Sequence, residues 1–275
     1  MARLMRRGAC ALLIWIVAWL IALAAPARAD ECDVSWSSVD DDFAALFEAP
    51  FDMSEESAYV TLGAVTLTGA SIIWWDDDID RMVQRRPDSF PYNAMHQISR
   101  LASWYGESNK NAIITYGVVI GAVALGGVIA DDDYVIDTAA LMAEAGAFSF
   151  VLNVAAKMVI GRARPHTERG PHDFDFLTSP TNSDMHSFLS GHTANAFALA
   201  GTAAGRHPHW YVEIPGYTLA VAAGLQRVDS RSHWMSDVVS GAFFGYAIAE
   251  LLVDRHECDD DAQATAPTVS LTLRF

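Results

Sequence analysis

Apolar residues along this chain are concentrated in six stretches, each long enough to form a helix. The stretches are rich in Ala, Gly, Val and Leu, and the middle of the chain lacks the sustained apolar–polar alternation of half-buried strands. The pattern therefore predicts an all-α protein, a bundle of about six core helices. The predicted helices cover approximately residues 58–75, 112–130, 135–160, 191–205, 211–225 and 238–253.

The two ends of the chain differ from this apolar middle. Residues 1–29 combine a basic start, an uncharged apolar run and a small-residue cleavage pattern, which predicts a secretory signal peptide that is removed. An uncleaved membrane anchor is the alternative, because the apolar run approaches the length that spans a bilayer. The remaining sequence divides into an acidic lead-in at 30–57, a helical domain at 58–256, and a tail at 257–275 whose alternating end could form a strand.

Composition and charge limit the kinds of molecule that the chain is expected to bind. Its 275 residues are 52% hydrophobic, which is enough for one full-sized domain, and its formal net charge is −16. An acidic chain of this kind is unsuited to nucleic acid. Four clusters of Asp lack the residue spacing of a calcium loop, so we interpret them as solvated surface. They comprise residues 40–42, 76–78, 131–133 and 259–261.

A cleaved signal peptide would place the mature chain outside the cytoplasm. There Cys32 and Cys258, near the two mature ends, could form a disulfide, with two free thiols as the alternative. The helix lengths fit both a soluble core and membrane spans. We predict an exported, periplasmic protein that is soluble or peripherally attached to a membrane. The alternative is an integral inner-membrane protein whose functional site faces the periplasm.

The stretch KMVIGRARP carries the first candidate chemistry. Lys157 and Arg164 are seven residues apart, so we expect them on one face of the helix that Pro165 ends. Arg presents a planar fork to two phosphate oxygens and Lys presents a point charge, which together make an anion clamp. Taken alone, the pair would more simply be two ordinary cations at a helix end.

A second candidate lies in SFLSGHT, directly before an apolar stretch. Ser190 and Gly191 would begin a helix whose first backbone N–H groups point outward, and such groups bind phosphate oxygens well. His192 stands beside this position, where it could give a proton to a departing oxygen. The simpler alternative is an ordinary Ser cap followed by a surface histidine.

The third candidate is QRVDSRSHWMSDVVSG. His233 and Asp237 are four residues apart, so we expect them to be neighbours on one helix face. A carboxylate bonded to one ring nitrogen would leave the other nitrogen free as a nucleophile. Arg227 adds a third cation. A purely structural His–Asp pair is the alternative.

The three stretches occur in an order that carries more information than any one of them. Their sequence resembles the type 2 phosphatidic acid phosphatase family, which shares its site with vanadium haloperoxidases. The resemblance covers about residues 112–253, and two positions depart from the family pattern, Leu189 in place of Pro and Gln226 in place of Ser. The matching residues are Lys157, Arg164 and Pro165, then Ser190, Gly191 and His192, then Arg227, His233 and Asp237.

The resemblance implies a metal-independent phosphatase without a cofactor, built on the acid phosphatase and haloperoxidase fold. His233 would attack phosphorus to form a phosphohistidine, Asp237 would orient its ring, and His192 would protonate the leaving oxygen. The phosphate would be bound by the remaining matched groups, which are Lys157, Arg164, Ser190, Gly191 and Arg227. The implied substrate is a phosphate ester, either a lipid phosphate or a small phosphomonoester or pyrophosphate, and a lipid would bring association with a membrane.

Two other functions compete with this one. A vanadate-dependent haloperoxidase would use the same cations, although such enzymes are typically larger, and a non-catalytic anion-binding or lipid-binding protein would keep the cations without turnover. His207 and His209 could bind a metal, but Pro208 between them favours surface residues. Substrate choice would depend on neighbouring surfaces, for which the aromatic loop at 174–176 and Trp210 are candidates.

Overall fold

The computed structural model describes residues 38–86 and 88–256, and all regular structure within them is helical. The predicted signal peptide, both cysteines of the candidate disulfide and the strand-like tail lie outside the described residues. The α-helices are α1 (Val39–Glu48), α2 (Glu55–Ala70), α3 (Asp76–Arg85), α4 (Phe90–Ser99), α5 (Ser103–Glu107), α6 (Asn109–Ala130), α7 (Asp133–Ile160), α8 (Gly191–Arg206), α9 (Trp210–Asp229) and α10 (Met235–Arg255).

The predicted all-α class is confirmed, and the six predicted stretches correspond to α2 and α6 to α10. A wider π-type turn at Ser71–Trp75 joins α2 to α3, so these two helices continue as one. Polar caps define the starts of two long helices. The hydroxyl of Ser108 accepts from the amide of Asn111 before α6, and the carboxylate of Asp132 accepts from the amide of Val135 before α7.

Besides α3, which continues the first predicted stretch, three short helices were missed by the hydrophobic pattern. The first, α1, lies within the predicted acidic lead-in, where its three acids Asp40, Asp41 and Asp42 fall in the first turn and favour the positive end of the helix dipole. The other two, α4 and α5, are only ten and five residues long. Elements this short carry too few apolar repeats to be recognised by periodicity.

Helix α8 lies at the centre of the bundle and packs against α7, α9 and α10. Small residues allow the closest of these approaches. A Cβ added to Gly245 of α10 would overlap the backbone of Ala194, and one added to Gly241 would lie 2.7 Å from the carbonyl oxygen of Ser190. The start of α8 is therefore held directly against the start of α10.

Four helical segments are long and apolar enough to cross a membrane. They are Ser57–Arg85, Asn109–Ala130, Asp133–Ile160 and Met235–Arg255. The first two bury little of their surface inside the protein, and large apolar side chains such as Leu62, Val65, Val128 and Ile129 are more than half exposed. A surface of this kind is unfavourable in water. It fits the alternative of an integral membrane protein better than the soluble bundle that we preferred from the sequence.

The helix ends that carry the three candidate sequence stretches lie together at one end of the bundle. These are the end of α7, the start of α8, the end of α9 and the start of α10. The long connection between α7 and α8 covers this end, where Arg162 forms isolated backbone bridges to Phe174 and His186. The arrangement brings the three sequence stretches to one place.

Candidate active site

Lys157 and Arg164 do not share a helix face, which corrects the sequence-based expectation. Helix α7 ends at Ile160, and Gly161 takes a left-handed conformation with φ of 56° that turns the chain away. Arg164 lies in the following connection, where its Nε donates to the carbonyl of Ser183 at 2.9 Å and its guanidinium donates to the carbonyl of Ser232 at 3.0 Å. The second bond holds Arg164 directly beside His233.

The start of α8 lies against Lys157. A Cβ added to Gly191 would lie 3.4 Å from Nζ of Lys157 and 2.8 Å from the side-chain oxygen of Asn153. Asn153, one helical turn before Lys157, donates to the carbonyl of Leu189 at 3.3 Å and is almost fully buried. Sequence reasoning missed Asn153, which positions the turn that leads into α8.

Ser190 precedes α8 without capping it through its side chain. Its hydroxyl lies 2.8 Å from the hydroxyl of Thr193, and its backbone amide donates to the carbonyl of Asp237 at 3.0 Å. The first amides of a helix have no partner within the helix. Those of Gly191 and His192 therefore offer a binding position for an anion, at the positive end of the helix dipole.

His192 faces this position with a free ring nitrogen. Its Nε2 is buried and has no hydrogen-bond partner among the described residues. Tyr105 holds the residue from behind, because its hydroxyl donates to the carbonyl of His192 at 2.7 Å and the two rings meet edge to face. Burial and the nearby cations Arg227 and Lys157 lower the pKa of His192 to about 3. The ring is neutral at pH 7 before an anion binds.

His233 is buried with its tautomer fixed by the backbone. Its Nδ1 lies 2.7 Å from the carbonyl oxygen of Ser187. A carbonyl only accepts, so Nδ1 carries the hydrogen and Nε2 carries the lone pair. Burial, together with Arg164 and Lys157, holds the pKa of His233 well below its usual range. His233 therefore presents a neutral, nucleophilic Nε2.

Asp237 does not orient His233 in the way that the sequence spacing suggested. His233 precedes α10, which begins at Met235, so the two residues do not share a helix face. Their closest N–O distance is 3.8 Å, which is too long for a hydrogen bond. The carboxylate of Asp237 instead accepts from the hydroxyl of Ser187 at 2.5 Å and from the amide of Trp234 at 2.9 Å. It fixes both segments that flank the histidine and supplies negative charge beside it.

Arg162 connects Asp237 to a second buried carboxylate. This fully buried guanidinium donates to Asp237 at 2.6 Å and to Asp76 at 2.8 Å. Asp76 also accepts from the amide and hydroxyl of Ser236, at 2.9 and 2.5 Å. Our interpretation of Asp76 as solvated surface is therefore wrong, because the helix from α2 to α3 turns this first Asp of its cluster toward the protein interior.

Arg227 completes the ring of cations from the end of α9. Its guanidinium donates to the carbonyl of Gly106 and, at 3.2 Å, to the side chain of Gln226, while its Nε has no partner among the described residues. Burial, with Arg164 nearby, lowers the pKa of Arg227 to about 10, so it remains charged at neutral pH. Gln226, one of the two departures from the family pattern, thus contacts a candidate phosphate ligand.

Of the two surfaces that we considered for substrate choice, the aromatic loop at 174–176 lies near the active site and Trp210 lies far from it. The ring of Phe174 stands 5.5 Å from the guanidinium carbon of Arg162, so the aromatic loop is near the site. Trp210 begins α9, whereas Arg227 lies near its end, about 25 Å away along the helix. Of the two histidines considered as metal ligands, His207 is buried against Thr138, with its Nε2 3.2 Å from the hydroxyl, and His209 is exposed.

These side chains together can perform one kind of chemistry. Three cations and the first amides of a helix surround a position that suits a tetrahedral anion. His233 is neutral, and its free Nε2 is available to attack that anion. His192 has an unpaired Nε2 among the described residues, which could carry a proton to the leaving oxygen. A site with this excess of positive charge favours an anion over a metal ion.

The sequence of the chain is similar to a known protein family and to several known phosphatases. A sequence model described as the PAP2 superfamily matches residues 138–257. The chain is 40% identical over 85 residues to a lipid A 1-phosphatase of Porphyromonas gingivalis, covering 30% of this chain and 19% of that protein. It is also 34% identical over 98 residues to a lipid A 1-phosphatase of Rhizobium johnstonii, covering 36% of this chain and 39% of the relative.

A third relative, the lipid A 1-phosphatase of Rhizobium etli, is 33% identical over 98 residues, which cover 36% of this chain and 41% of that protein. The chain thus spans between about a fifth and two fifths of the length of these curated relatives. No solved structure matches it. The PAP2 superfamily match contains all eight candidate site residues, so residues 138–257 of the chain are similar to that superfamily.

Proposed function

We propose that this protein is a membrane-embedded phosphatase that hydrolyses the phosphate ester of a lipid through a phosphohistidine intermediate. The observation that carries the proposal is the state of His233. Its Nδ1 hydrogen is committed to the carbonyl of Ser187 at 2.7 Å, and its burial keeps the ring neutral. A neutral imidazole with a free Nε2 beside a cationic anion site is arranged for nucleophilic attack on phosphorus.

The reaction follows in two steps. Nε2 of His233 forms a bond to phosphorus while the bond from phosphorus to the ester oxygen breaks. His192, which is neutral in the free enzyme, takes up the proton carried by the bound phosphate monoanion and gives it to that oxygen. Water then attacks the phosphohistidine, with its proton passing to His192, and the P–N bond breaks to release phosphate. Arg164, Arg227, Lys157 and the first amides of α8 stabilise the charge on the three equatorial oxygens. The cations perform the charge neutralisation for which many phosphatases use a metal, so we expect the chemical steps to need none.

The surroundings of His192 favour a lipid over a small soluble ester. An apolar pocket among α5, α6, α8 and α9 includes in its lining Tyr105, the residue whose hydroxyl and ring contact His192. Its lining includes Tyr116, Leu199, Leu219 and Ala220. A hydrocarbon chain attached to the bound phosphate would be removed from water there, at about 0.8 kcal/mol for each buried CH₂ group.

The exposed apolar surface of the protein also supports a lipid substrate, because it suits contact with a membrane. The exposed Trp74 and Trp75 lie immediately before Asp76, which contacts the active-site network through Arg162. Tryptophan is enriched where a membrane meets water. The active site would then lie near the interface, where lipid headgroups are found. The relatives act on lipid A, so a lipid A 1-phosphate is the first substrate to assay, and a periplasm-facing site stays a prediction.

A direct assay tests the function. Purified protein in detergent is expected to release phosphate from a lipid phosphate, and His233→Ala is expected to abolish the release while His172→Ala, at an exposed position, leaves it intact. Acid-labile ³²P incorporation from labelled substrate into wild-type protein, absent from the His233 variant, would identify the phosphohistidine. Full activity of His233→Ala would overturn the proposal.

Vanadate separates the proposal from its two alternatives. Inhibition of phosphate release by vanadate supports the phosphatase, because vanadate copies the geometry of phosphorus in the transition state. Halide oxidation by the vanadate-loaded protein with peroxide would indicate a haloperoxidase. Binding of phosphate or vanadate without either activity would indicate a non-catalytic protein.

A further inference from the structure

A second cluster of polar side chains lies far from the active site. It joins Asp42 of α1, Glu144 in the middle of α7 and His256, directly after α10, and one potential ligand atom from each lies within 4.8 Å of the other two. Glu144 and Lys157 are thirteen residues apart on α7, so the cluster is about 20 Å from the active site. The proposed phosphatase chemistry makes no use of these three residues.

Glu144 is the unexplained member of this cluster. Its residue is only 6% exposed, and its Oε1 is buried without a hydrogen-bond partner among the described residues. An unpaired carboxylate in a protein interior is costly unless a cation or a proton accompanies it. Glu144 thus brings a second carboxyl group next to Asp42, an arrangement that a bound cation or a shared proton would stabilise.

Asp42 and its neighbours have the arrangement of a metal ligand with its support. One oxygen of Asp42 accepts from Nε of Arg255 at 2.5 Å, and the other lies 2.9 Å from Nε2 of His256. Arg255 thereby fixes the orientation of the carboxylate through one oxygen only. Ligating carboxylates are commonly held in this way by an outer hydrogen bond, and a bound ion would replace the hydrogen bond between the second oxygen and Nε2 of His256.

We propose that Asp42, Glu144 and His256 bind a divalent transition-metal ion of the zinc class. One imidazole nitrogen and two carboxylate oxygens are a ligand set used for zinc, whereas calcium and magnesium take oxygen ligands. The ion would provide the positive charge that Glu144 lacks and would fasten α1 to α7 and to the end of α10. It stabilises the fold and takes no part in phosphate transfer.

Zinc content measures the proposal directly. Full-length protein without a histidine tag is purified in detergent, stripped with EDTA, dialysed against zinc sulfate and analysed by mass spectrometry of the metal. We expect about one zinc ion per chain for wild type and for the control His172→Gln, and a loss of at least about tenfold in affinity for Glu144→Gln and His256→Gln. Zinc-free wild-type protein, or equal zinc content in wild type and Glu144→Gln, would overturn the proposal.

Thermal unfolding distinguishes a metal ligand from a residue that is merely structural. Zinc is expected to raise the Tm of wild type and not that of Glu144→Gln, because an ion stabilises only the state that binds it. Without zinc, Glu144→Gln should be at least as stable as wild type, since the substitution removes an unpaired buried charge. A variant that is less stable than wild type in EDTA, or that gains as much from zinc, would contradict the assignment.

A comparison of hydrolysis rates with and without zinc tests whether the proposed ion takes part in catalysis. At a temperature where both forms are folded, we expect hydrolysis of a water-soluble phosphate ester to proceed at the same rate with zinc and with EDTA. A rate that rises and falls with zinc content would show that the ion acts in the reaction, which would overturn its assignment as a structural ion. Zinc binding itself is measured without activity, so a failed phosphatase assay leaves this test intact.

Discussion

Nδ1 of His233 lies 2.7 Å from the backbone carbonyl of Ser187, and this bond fixes which ring nitrogen is free to react. A side-chain partner could be removed by substitution, but a backbone carbonyl cannot. Ser187 is itself held by its hydroxyl, which donates to Asp237. Asp237 thus acts on His233 largely through the segment that presents the carbonyl, and its negative charge adds to this effect from 3.8 Å.

This division of roles predicts different effects for two substitutions. Ser187→Ala keeps the carbonyl and loses one hydrogen bond, worth about 1 kcal/mol, so we expect a loss of kcat of about tenfold or less. Asp237→Asn removes a charge that pairs with Arg162 and also faces His233, so the loss should be much larger. Steady-state kinetics with a lipid phosphate measure both. A larger loss in Ser187→Ala than in Asp237→Asn would contradict these roles.

The pH dependence of kcat/KM should report the unusual state of His192. Its pKa is lowered to about 3, so in the free enzyme this ring is neutral at pH 5 to 9 and lacks the second proton that an acid catalyst would donate. The proton for the leaving oxygen must then arrive with the substrate, whose second phosphate pKa is about 6. We expect kcat/KM to be level from pH 5 to 6 and to fall toward about tenfold per unit at higher pH.

An acid of ordinary pKa would behave differently at the acidic end of this profile. With a pKa near 6.5, His192 would be protonated in the free enzyme below that pH and would pair best with the substrate dianion. In that case kcat/KM would form a bell and decline from pH 6 to 5. Such a decline, in protein shown by circular dichroism to be folded at pH 5, would contradict the role of burial and neighbouring cations that we assign.

Substitution of Arg162 should destabilise the protein strongly. Arg162→Met leaves the buried carboxylates of Asp76 and Asp237 without their cation, and breaking a buried ion pair from one side costs about 3 to 5 kcal/mol. Arg169→Met is a matched control, because Arg169 pairs with Asp173 at the surface and its loss should cost less than about 1 kcal/mol. Chemical denaturation in mild detergent compares the two, and equal losses of stability would be inconsistent with this network.

Arg162 and Asp76 also illustrate where sequence reasoning fails here. The long helices were predictable because each repeats an apolar face over many residues, and the order of the three motifs indicated the candidate site. Asp76 looked like its exposed neighbours in a run of three acids, and its partner lies 86 positions away. The placement of Arg164 and His233 depended on where α7 ends and α10 begins, and a spacing of seven or four residues does not reveal a helix boundary.

Arg227 should contribute to the transition state more than to substrate binding. Its Nε is buried, has no partner within residues 38–86 and 88–256, and is therefore available to an oxygen that gains charge during the reaction. Loss of one such donor typically costs about 10² to 10³ in kcat. We expect Arg227→Gln to lower kcat by that factor with a smaller change in KM, and Arg100→Gln, at an exposed position, to change neither. A change confined to KM would indicate ordinary ground-state binding.

The apolar pocket lined by Tyr105 and Ala220 leads to a prediction about substrate class. Ala220 lines the pocket and is 1% exposed, so Ala220→Phe should fill the space that a hydrocarbon chain would occupy. We expect at least a tenfold loss of kcat/KM with a long-chain lipid phosphate, since excluding two CH₂ groups already costs about 1.6 kcal/mol. A water-soluble ester should be hydrolysed almost as fast as by wild type, which also shows that the variant is folded. The neighbouring Val221→Phe, at a position 44% exposed, controls for added bulk on α9. An equal loss with both substrates would place the hydrocarbon chain elsewhere.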